Sequence, residues 1–468
     1  MSKAFAATLP RLADPARRLP LVAGLGLTGL LIGVAASRSP LLAVTAVVGV
    51  GFTAVALTSL PAGLAFFVVL TFFAGLPFSG GVTLVKAAGL VLTIAWLAAI
   101  ATRRGEVPVL FRDHPLLAYA IVFFITWSLA SMLWAEDAYS AQLNTFRLAL
   151  NAVLLLIVYS AISKRQHLIW VLWAYLGGAL ISAVVGLGGG SSAEQFGPYS
   201  DPSRLSGGIG DPNELAALLV PALTLAAFLI SPTRGPMKRW LLLMLLFVFA
   251  LTLFLTESRG GLVALALVLL VTPFLAGPVR LKALVMILAV AALGIGYYSL
   301  LAPPQALHHV THFSASSATG RQDVWTVSIE MFKDHPVAGI GTGNFQVIEP
   351  RYATRNINLP RADLVVTTPK VAHNTYLHVL TELGIIGFTA FMGIILGALG
   401  LAWRAIRTLK ERGERRLEIV ARGVLIATLG MLGAFIFITA QYEKQLWLLL
   451  GICAALSTLA RGGETAEA

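Results

Sequence analysis

Five side chains stand out because their chemistry does not suit their surroundings. His373 lies in Val371-Ala372-His373-Asn374-Thr375-Tyr376, just before a long apolar run. An imidazole titrates near neutrality and can take a proton from a hydroxyl group in a transition state. Arg147, Arg204, Arg259 and Arg321 are the other four. A guanidinium presents a planar fork to phosphate oxygens, so several over one cavity would suit a phosphate or diphosphate. Arg259 sits in Thr256-Glu257-Ser258-Arg259-Gly260-Gly261, a short turn between two strongly apolar stretches. Arginine at membrane depth is costly unless it is paired or faces a polar cavity, and the other reading is a local pair with Glu257 or a snorkelling side chain. Arg204 precedes a glycine-rich stretch ending in Asp211-Pro212-Asn213-Glu214, where Asp211 reads as a helix N-cap and Pro212 as the first helical residue. Arg147 can equally be a buried structural cation.

The elements that must carry these residues are set by composition. Of 468 residues, 57% are hydrophobic and 12% charged, with a mean hydropathy of +0.83. A soluble chain carries roughly a quarter charged residues, which excludes a soluble globular fold. Apolar runs long enough for a bilayer core fall near 20–36, 40–58, 59–75, 82–101, 115–134, 145–162, 167–187, 212–230, 239–256, 260–276, 281–301, 376–403, 419–438 and 444–460. Runs this long and uniform fit helices and not the alternating strands of a barrel. The fold class is an all-α polytopic membrane protein with 12–14 transmembrane helices. The pair 40–58 and 59–75 joins with almost no polar connection, so one member can be re-entrant. Four parts are expected: an N-terminal transmembrane bundle over 1–210, helices bearing the arginine turn over 211–301, a long loop over 302–375, and C-terminal helices over 376–468. Within that loop, residues 321–335 put Val324, Trp325, Ser328, Met331 and Phe332 on one face of an amphipathic helix lying on the bundle or on lipid headgroups. Gly339, Gly341 and Gly343 follow, and without a preceding strand they read as a tight turn and not a nucleotide fingerprint.

The 34 Lys and Arg residues against 22 Asp and Glu give a net charge of +12. Sorting the connections by alternation places 22 of the 34 cations on one side, among them Arg404, Arg407, Lys410, Arg412, Arg415 and Arg416. The positive-inside rule makes that side cytoplasmic, with both termini on it and His373 on the outer face. The basic N-terminus with its first apolar run is expected to be a signal anchor and not a cleaved signal peptide. The basic stretch 404–416 fits a topogenic loop beside anionic lipid, and with no interleaved aromatic platform it does not point to nucleic acid. Cys453 reads as packing. His308, His309 and His312 lack neighbouring carboxylate or cysteine ligands, and His378 is set about 140° round the helix from His373, so no metal is expected. Lys86 is expected to snorkel, and Glu382 to pair within the bundle or line its cavity.

The ordered set Gly210-Asp211-Pro212-Asn213, Thr256-x-Ser258-Arg259-Gly260, Gly320-Arg321 with Trp325, His335-Pro336 with Gly339-x-Gly341-x-Gly343-Asn344-Phe345, and Ala372-His373-Asn374 with Gly384 and Gly387 resembles the O-antigen ligase and polymerase superfamily. The resemblance covers about 210–390; the first 200 residues match in hydropathy alone. It implies a GT-C-like glycosyltransferase of the bacterial inner membrane, with its site facing the periplasm and no need for a cofactor, metal or nucleotide sugar. The donor would be a glycan on undecaprenyl diphosphate. Arg259 and Arg321, helped by Arg204 and Arg147, would hold the diphosphate. His373 would be the general base, with Asn374, Asp211 and Glu257 supporting. Three acceptors compete within the superfamily: lipid A-core in ligases, a second glycan in polymerases and protein hydroxyls in O-oligosaccharyltransferases. Chain length, a moderate outer loop and the lack of a large extra C-terminal domain favour the ligase. A transporter of lipid-linked glycan is the reading from another class, and it predicts charges deep in both halves of the chain. Here the polar residues crowd one face and the C-terminal half.

Overall fold

The computed structural model describes residues 33, 36–73, 84–102, 107–188, 204–302, 321–355, 359 and 370–462. The expected span near 20–36, His308, His309, His312 and Gly320 lie outside the described residues or almost entirely so. The helices are α1 (Pro40–Thr58), α2 (Leu60–Thr71), α3 (Leu84–Thr102), α4 (Pro115–Ala130), α5 (Ala138–Ala161), α6 (Arg165–Leu187), α7 (Pro212–Ile230) and α8 (Pro236–Leu255). They continue with α9 (Arg259–Leu275), α10 (Arg280–Leu300), α11 (Arg321–Asp334), α12 (Phe345–Arg355), α13 (Thr375–Glu411), α14 (Arg415–Ala434) and α15 (Lys444–Arg461). No strand occurs among the described residues. Every expected run from residue 40 onward coincides with one helix, and among the described residues nine helices are long and apolar enough to cross a membrane. The chain is an all-α, multi-pass membrane protein. α2 has 12 residues, about 18 Å at 1.5 Å per residue, which falls short of a bilayer core about 30 Å thick.

Helices α7 and α14 form the enclosed centre: almost all of α14 and most of α7 are shielded by other helices. α7 packs on α14 and α8, α14 on α9, and α15 lies between α5 and α13. Small residues permit this, since a Cβ on Gly423 would strike Phe228 of α7 and one on Gly430 would strike Val220 and Val268. A buried charge pair lies inside the bundle. Arg422 donates to Glu418 Oε1 at 2.8 Å and to the Leu275 carbonyl at 2.7 Å, closing the C-terminal end of α9. Cys453 is fully buried, as expected of a packing residue. Lys86 is exposed near the start of α3.

One long helix is broken in a way that matters for the site. Within α13, Gly384 has φ 64° and ψ −171°, which interrupts the helical hydrogen bonds. The loop 336–343 fills the gap. Ile340 N–H donates to the Thr381 carbonyl (3.1 Å), Gly341 N–H to the Glu382 carbonyl (2.9 Å), and Ile385 N–H to the Pro336 carbonyl (2.9 Å). Backbone groups freed at membrane depth need such partners, because lipid supplies none. Gly339, Gly341 and Gly343 all have positive φ, which is the tight turn the sequence suggested. A side chain at Gly339 would run into the Glu382 carbonyl, so the spacing also allows backbone to meet backbone.

Candidate functional site

Four helices begin beside one another on the face that carries His373. α7 is capped by Asp211, whose Oδ1 accepts from Asn213 N–H (2.7 Å) and Glu214 N–H (2.9 Å), with Pro212 at the first position. α9 is capped by Ser258, which accepts from Gly261 N–H at 3.2 Å. α13 is capped by Asn374, whose Oδ1 accepts from Leu377 N–H at 3.0 Å. α11 begins at Arg321. The N-terminus of a helix carries the positive end of its dipole, so four together favour an anion between them.

The arginines complete this polarity. Arg204 donates from Nε to the Thr256 carbonyl (3.0 Å) and from Nη2 to Asn213 Oδ1 (3.0 Å). Ser258 Oγ donates to the same Asn213 oxygen at 3.0 Å. Arg204 thus rivets the start of α7 to the turn before α9. Arg259 is the first residue of α9, with Gly260 packed so closely on Phe437 that a Cβ there would lie 2.9 Å from the Cβ of Phe437. Arg321 feels Arg204 and Arg259 as repelling charges and Asp211 as an attracting one. Burial, then those two arginines, hold its guanidinium below its ordinary pKa, yet an arginine stays charged at any working pH. Three guanidiniums from separate parts of the chain therefore share one region with Asp211, which is engaged as a cap, and with Glu257 in the turn before α9.

His373 lies at the edge of this region, half-buried, with a left-handed φ of 47°. Its pKa is pushed down to about 4, first by burial and then by Arg321, with Asp211 opposing. The imidazole is therefore neutral at pH 7 and able to accept a proton. Bonds on both sides fix its backbone. Trp325 Nε1 donates to the Ala372 carbonyl at 2.9 Å. Thr375 N–H donates to the Phe435 carbonyl (2.9 Å), and Thr375 Oγ1 donates to the Ile438 carbonyl (2.7 Å) while accepting from Ala440 N–H (2.9 Å). Glu349 Oε2 accepts from Lys370 N–H at 2.8 Å, three residues upstream.

The loop between α11 and α12 locks these parts to the bundle. Thr342 shares its hydroxyl with Ser128 (2.8 Å) and Ser131 (3.1 Å), and Asn344 Oδ1 accepts from Asp137 N–H at 2.7 Å. Glu382 turns inward, 3.2 Å from His378 Nε2 and accepting from Phe345 N–H at 3.3 Å, so its role here is pairing within the bundle. α11 buries Val324, Val327, Ser328 and Met331, close to the expected face. It packs on α13, where Thr381 Oγ1 donates to the Ser328 carbonyl at 3.2 Å.

The structure brings together Arg204, Arg259, Arg321, Asp211, His373 and Asn374. Glu257, buried with φ 50°, sits in the turn between Thr256 and Ser258. Arg147 stands apart: it is exposed on α5, donates to Asn144 Oδ1 at 3.3 Å, and is not among the charges acting on Arg321 or His373. Sequence reasoning missed Asn213 as the shared acceptor for Arg204 and Ser258, and the turn 435–440 as the clamp on Thr375. Asn213 had a signal in its place beside the Asp211 cap; the clamp uses backbone carbonyls, which leave none. Among the described residues no group of three His, Cys, Asp or Glu side chains is placed to hold a metal ion.

Residues 242–392 match the family model described as O-antigen ligase. The matched segment runs from α8 into α13 and so contains Arg259, Arg321 and His373. That segment is what the chain shares with the O-antigen ligase family, and it is similar to that family over those residues. No curated protein matches the chain.

Proposed function

We propose that the protein is an O-antigen ligase, transferring a glycan from undecaprenyl diphosphate to a sugar hydroxyl of lipid A-core at the periplasmic face of the bacterial inner membrane. The observation that carries this reading is the meeting of Arg204, Arg259 and Arg321 over four helix N-termini, next to a neutral His373. An anionic leaving group is what such a cluster favours, because fixed cations and dipoles aimed at developing charge lower a barrier without reorganising. The acceptor oxygen attacks the anomeric carbon as His373 takes its proton. The bond between that carbon and the diphosphate oxygen breaks, and undecaprenyl diphosphate departs with the electron pair. Arg259 and Arg321 receive the growing charge, while Arg204, tied to α7 and the turn before α9, holds the frame. A single displacement inverts the anomeric configuration and calls for no metal or nucleotide sugar. Asn374 caps the helix behind His373, and its role is to aim the imidazole. The apolar helices take the polyprenyl and acyl chains. Both termini are then cytoplasmic, and the match of residues 242–392 to the family described as O-antigen ligase is in keeping with this reading.

The test is His373→Ala in a ligase-null host of matching glycan type, with lipopolysaccharide resolved on a gel. The expected result is core without attached O-antigen while long polymer accumulates on its lipid carrier. Core bearing a single repeat points instead to a polymerase, and normal ladders remove His373 from the mechanism.

A further inference from the structure

The face opposite His373 holds a second cationic feature that transfer chemistry does not use. A cavity of ≈ 260 Å³ opens there between the ends of α6, α7, α8 and α14. Its rim carries Arg165, Arg234, Lys238 and Arg416, all exposed. Its walls are Ile169, Trp173, Leu229 and Val420. Each wall residue lies on the membrane side of the cations: Ile169 and Trp173 are one and two turns into α6, Val420 is a turn into α14, and Leu229 is in the last turn of α7. The cavity is therefore charged at its mouth and apolar within.

The cations disfavour one another. Arg416 and Arg234 both act on Arg165 as repelling charges, and Glu414 is the acidic group that opposes them. Arg165, Lys238 and Arg416 also occupy the first turns of α6, α8 and α14, where the helix dipole repels a cation. None of these three helices has a side-chain cap, in contrast to Asp211, Ser258 and Asn374 on the opposite face. Charges kept inside for orientation alone need not line one cavity. An anion at its mouth would satisfy the guanidiniums, the ammonium and the helix ends together.

We propose that this cavity is a binding site for an anionic phospholipid, its phosphate among Arg165, Arg234, Lys238 and Arg416 and an acyl chain against Ile169, Trp173, Leu229 and Val420. Basic pockets between helix ends on the inner side of a membrane recognise lipid headgroups in this way. A soluble phosphate would use the rim but gain nothing from the walls. The proposal does not rest on the transfer reaction, since none of its residues belongs to the His373 site.

The test uses the purified full-length chain in detergent, with lipid retention read by native mass spectrometry and stabilisation by the thermal midpoint. Dioleoyl phosphatidylglycerol should be retained and raise the midpoint, whereas dioleoyl phosphatidylethanolamine and glycerol 3-phosphate should not. Arg165→Gln with Arg416→Gln should weaken phosphatidylglycerol binding about fivefold for each cation removed. Arg234→Gln with Lys238→Gln should do the same from exposed positions, so a folding failure of the first pair leaves the idea testable. Arg404→Gln with Arg407→Gln removes exposed cations of α13 outside the cavity and should change nothing. Equal loss in that control would make the attraction a diffuse surface effect and overturn the proposal. So would equal stabilisation by glycerol 3-phosphate, which indicates a soluble-anion site, or by phosphatidylethanolamine, which indicates a plain acyl cavity. Absence of any phosphatidylglycerol effect overturns it as well.

Discussion

Replacing Gly384 by alanine should damage the protein more than any exposed glycine change, and the structure says by how much. Its φ of 64° with ψ of −171° lies in a region that is essentially reserved for glycine, at a cost of about 1–3 kcal/mol for other residues. A Cβ there would be driven into the Val337 carbonyl group and would lie 2.7 Å from the Ala338 nitrogen. Those are backbone atoms, so no rotamer change relieves the clash, and overpacking of this kind adds about 1–3 kcal/mol. The sum is about 4 kcal/mol. Gly413 supplies the control: its φ is 71°, but nothing lies within 4 Å of a Cβ built on it. Gly413→Ala should cost about 1–2 kcal/mol, the bare left-handed penalty. Thermal unfolding of the detergent-solubilised full chain should rank wild type above Gly413→Ala and Gly413→Ala well above Gly384→Ala. Because loop 336–343 joins α11 to α12 and rests on the break in α13, Gly384→Ala should also move Arg321 relative to His373 and reduce attached O-antigen on gels. Equal midpoints for the two variants would refute the view that the loop seals the helix break.

Two further expectations concern pH. His373 is held down to about 4 by burial and then by Arg321; protonation removes the base, so kcat/KM should fall with decreasing pH only near pH 4, measured as transfer from a purified lipid-linked donor. A bound diphosphate offsets Arg321, so the corresponding limb in kcat should lie higher; a free-enzyme limb at or above the ordinary histidine value would contradict this assignment. Glu349 is fully buried, and burial raises its pKa from 4.5 to about 7 against the Lys370 N–H bond. A raised carboxyl favours the protonated fold, so its contribution is complete below pH about 4.5 and is lost as pH rises through about 7, amounting to about 3 kcal/mol. Glu349→Gln keeps an acceptor for Lys370 N–H and should raise the thermal midpoint at pH 8 while leaving it unchanged at pH 4.5; identical midpoints at pH 8 would show that the carboxyl is not the source.

The helices were legible because each run is apolar on every side, and lipid demands that whatever happens elsewhere in the chain. The cap of α7 was legible for a local reason: Asp211-Pro212 states its geometry within two residues, whereas the Ser258 cap of α9 was found only in the structure. Convergence was not. Arg204 and Arg321 are far apart in sequence, and whether they meet depends on how α7, α9 and α11 pack, which no spacing encodes. The same limit explains Arg147, whose position near the outer face looked equivalent to the others until packing placed it on the exposed side of α5. The break in α13 left only the glycines as a trace, since Gly339 and Gly384 are needed in pairs and lie more than forty residues apart. The hydroxyls of Ser128, Ser131 and Thr342 gave no sign, because single serines and threonines are common in apolar helices and acquire meaning only when a partner arrives.

The backbone at the entrances to α7, α9 and α13 separates what the fold needs from what the chemistry needs. In each case the residue before the N-cap has positive φ: Gly210 at 96°, Glu257 at 50° and His373 at 47°. At α7 the sequence uses glycine, which adopts that conformation without cost. At α9 and α13 it keeps a carboxylate and an imidazole there, and these are the two non-glycine residues with positive φ among the described ones. A left-handed residue with a side chain costs about 1–2 kcal/mol. The neighbouring bonds of Thr256, Trp325 and Thr375 hold that strain in place. If turning into a helix were the whole task, glycine would do it at 257 and 373 as it does at 210. That His373 keeps an imidazole at such a position beside the arginine cluster supports the role proposed for it.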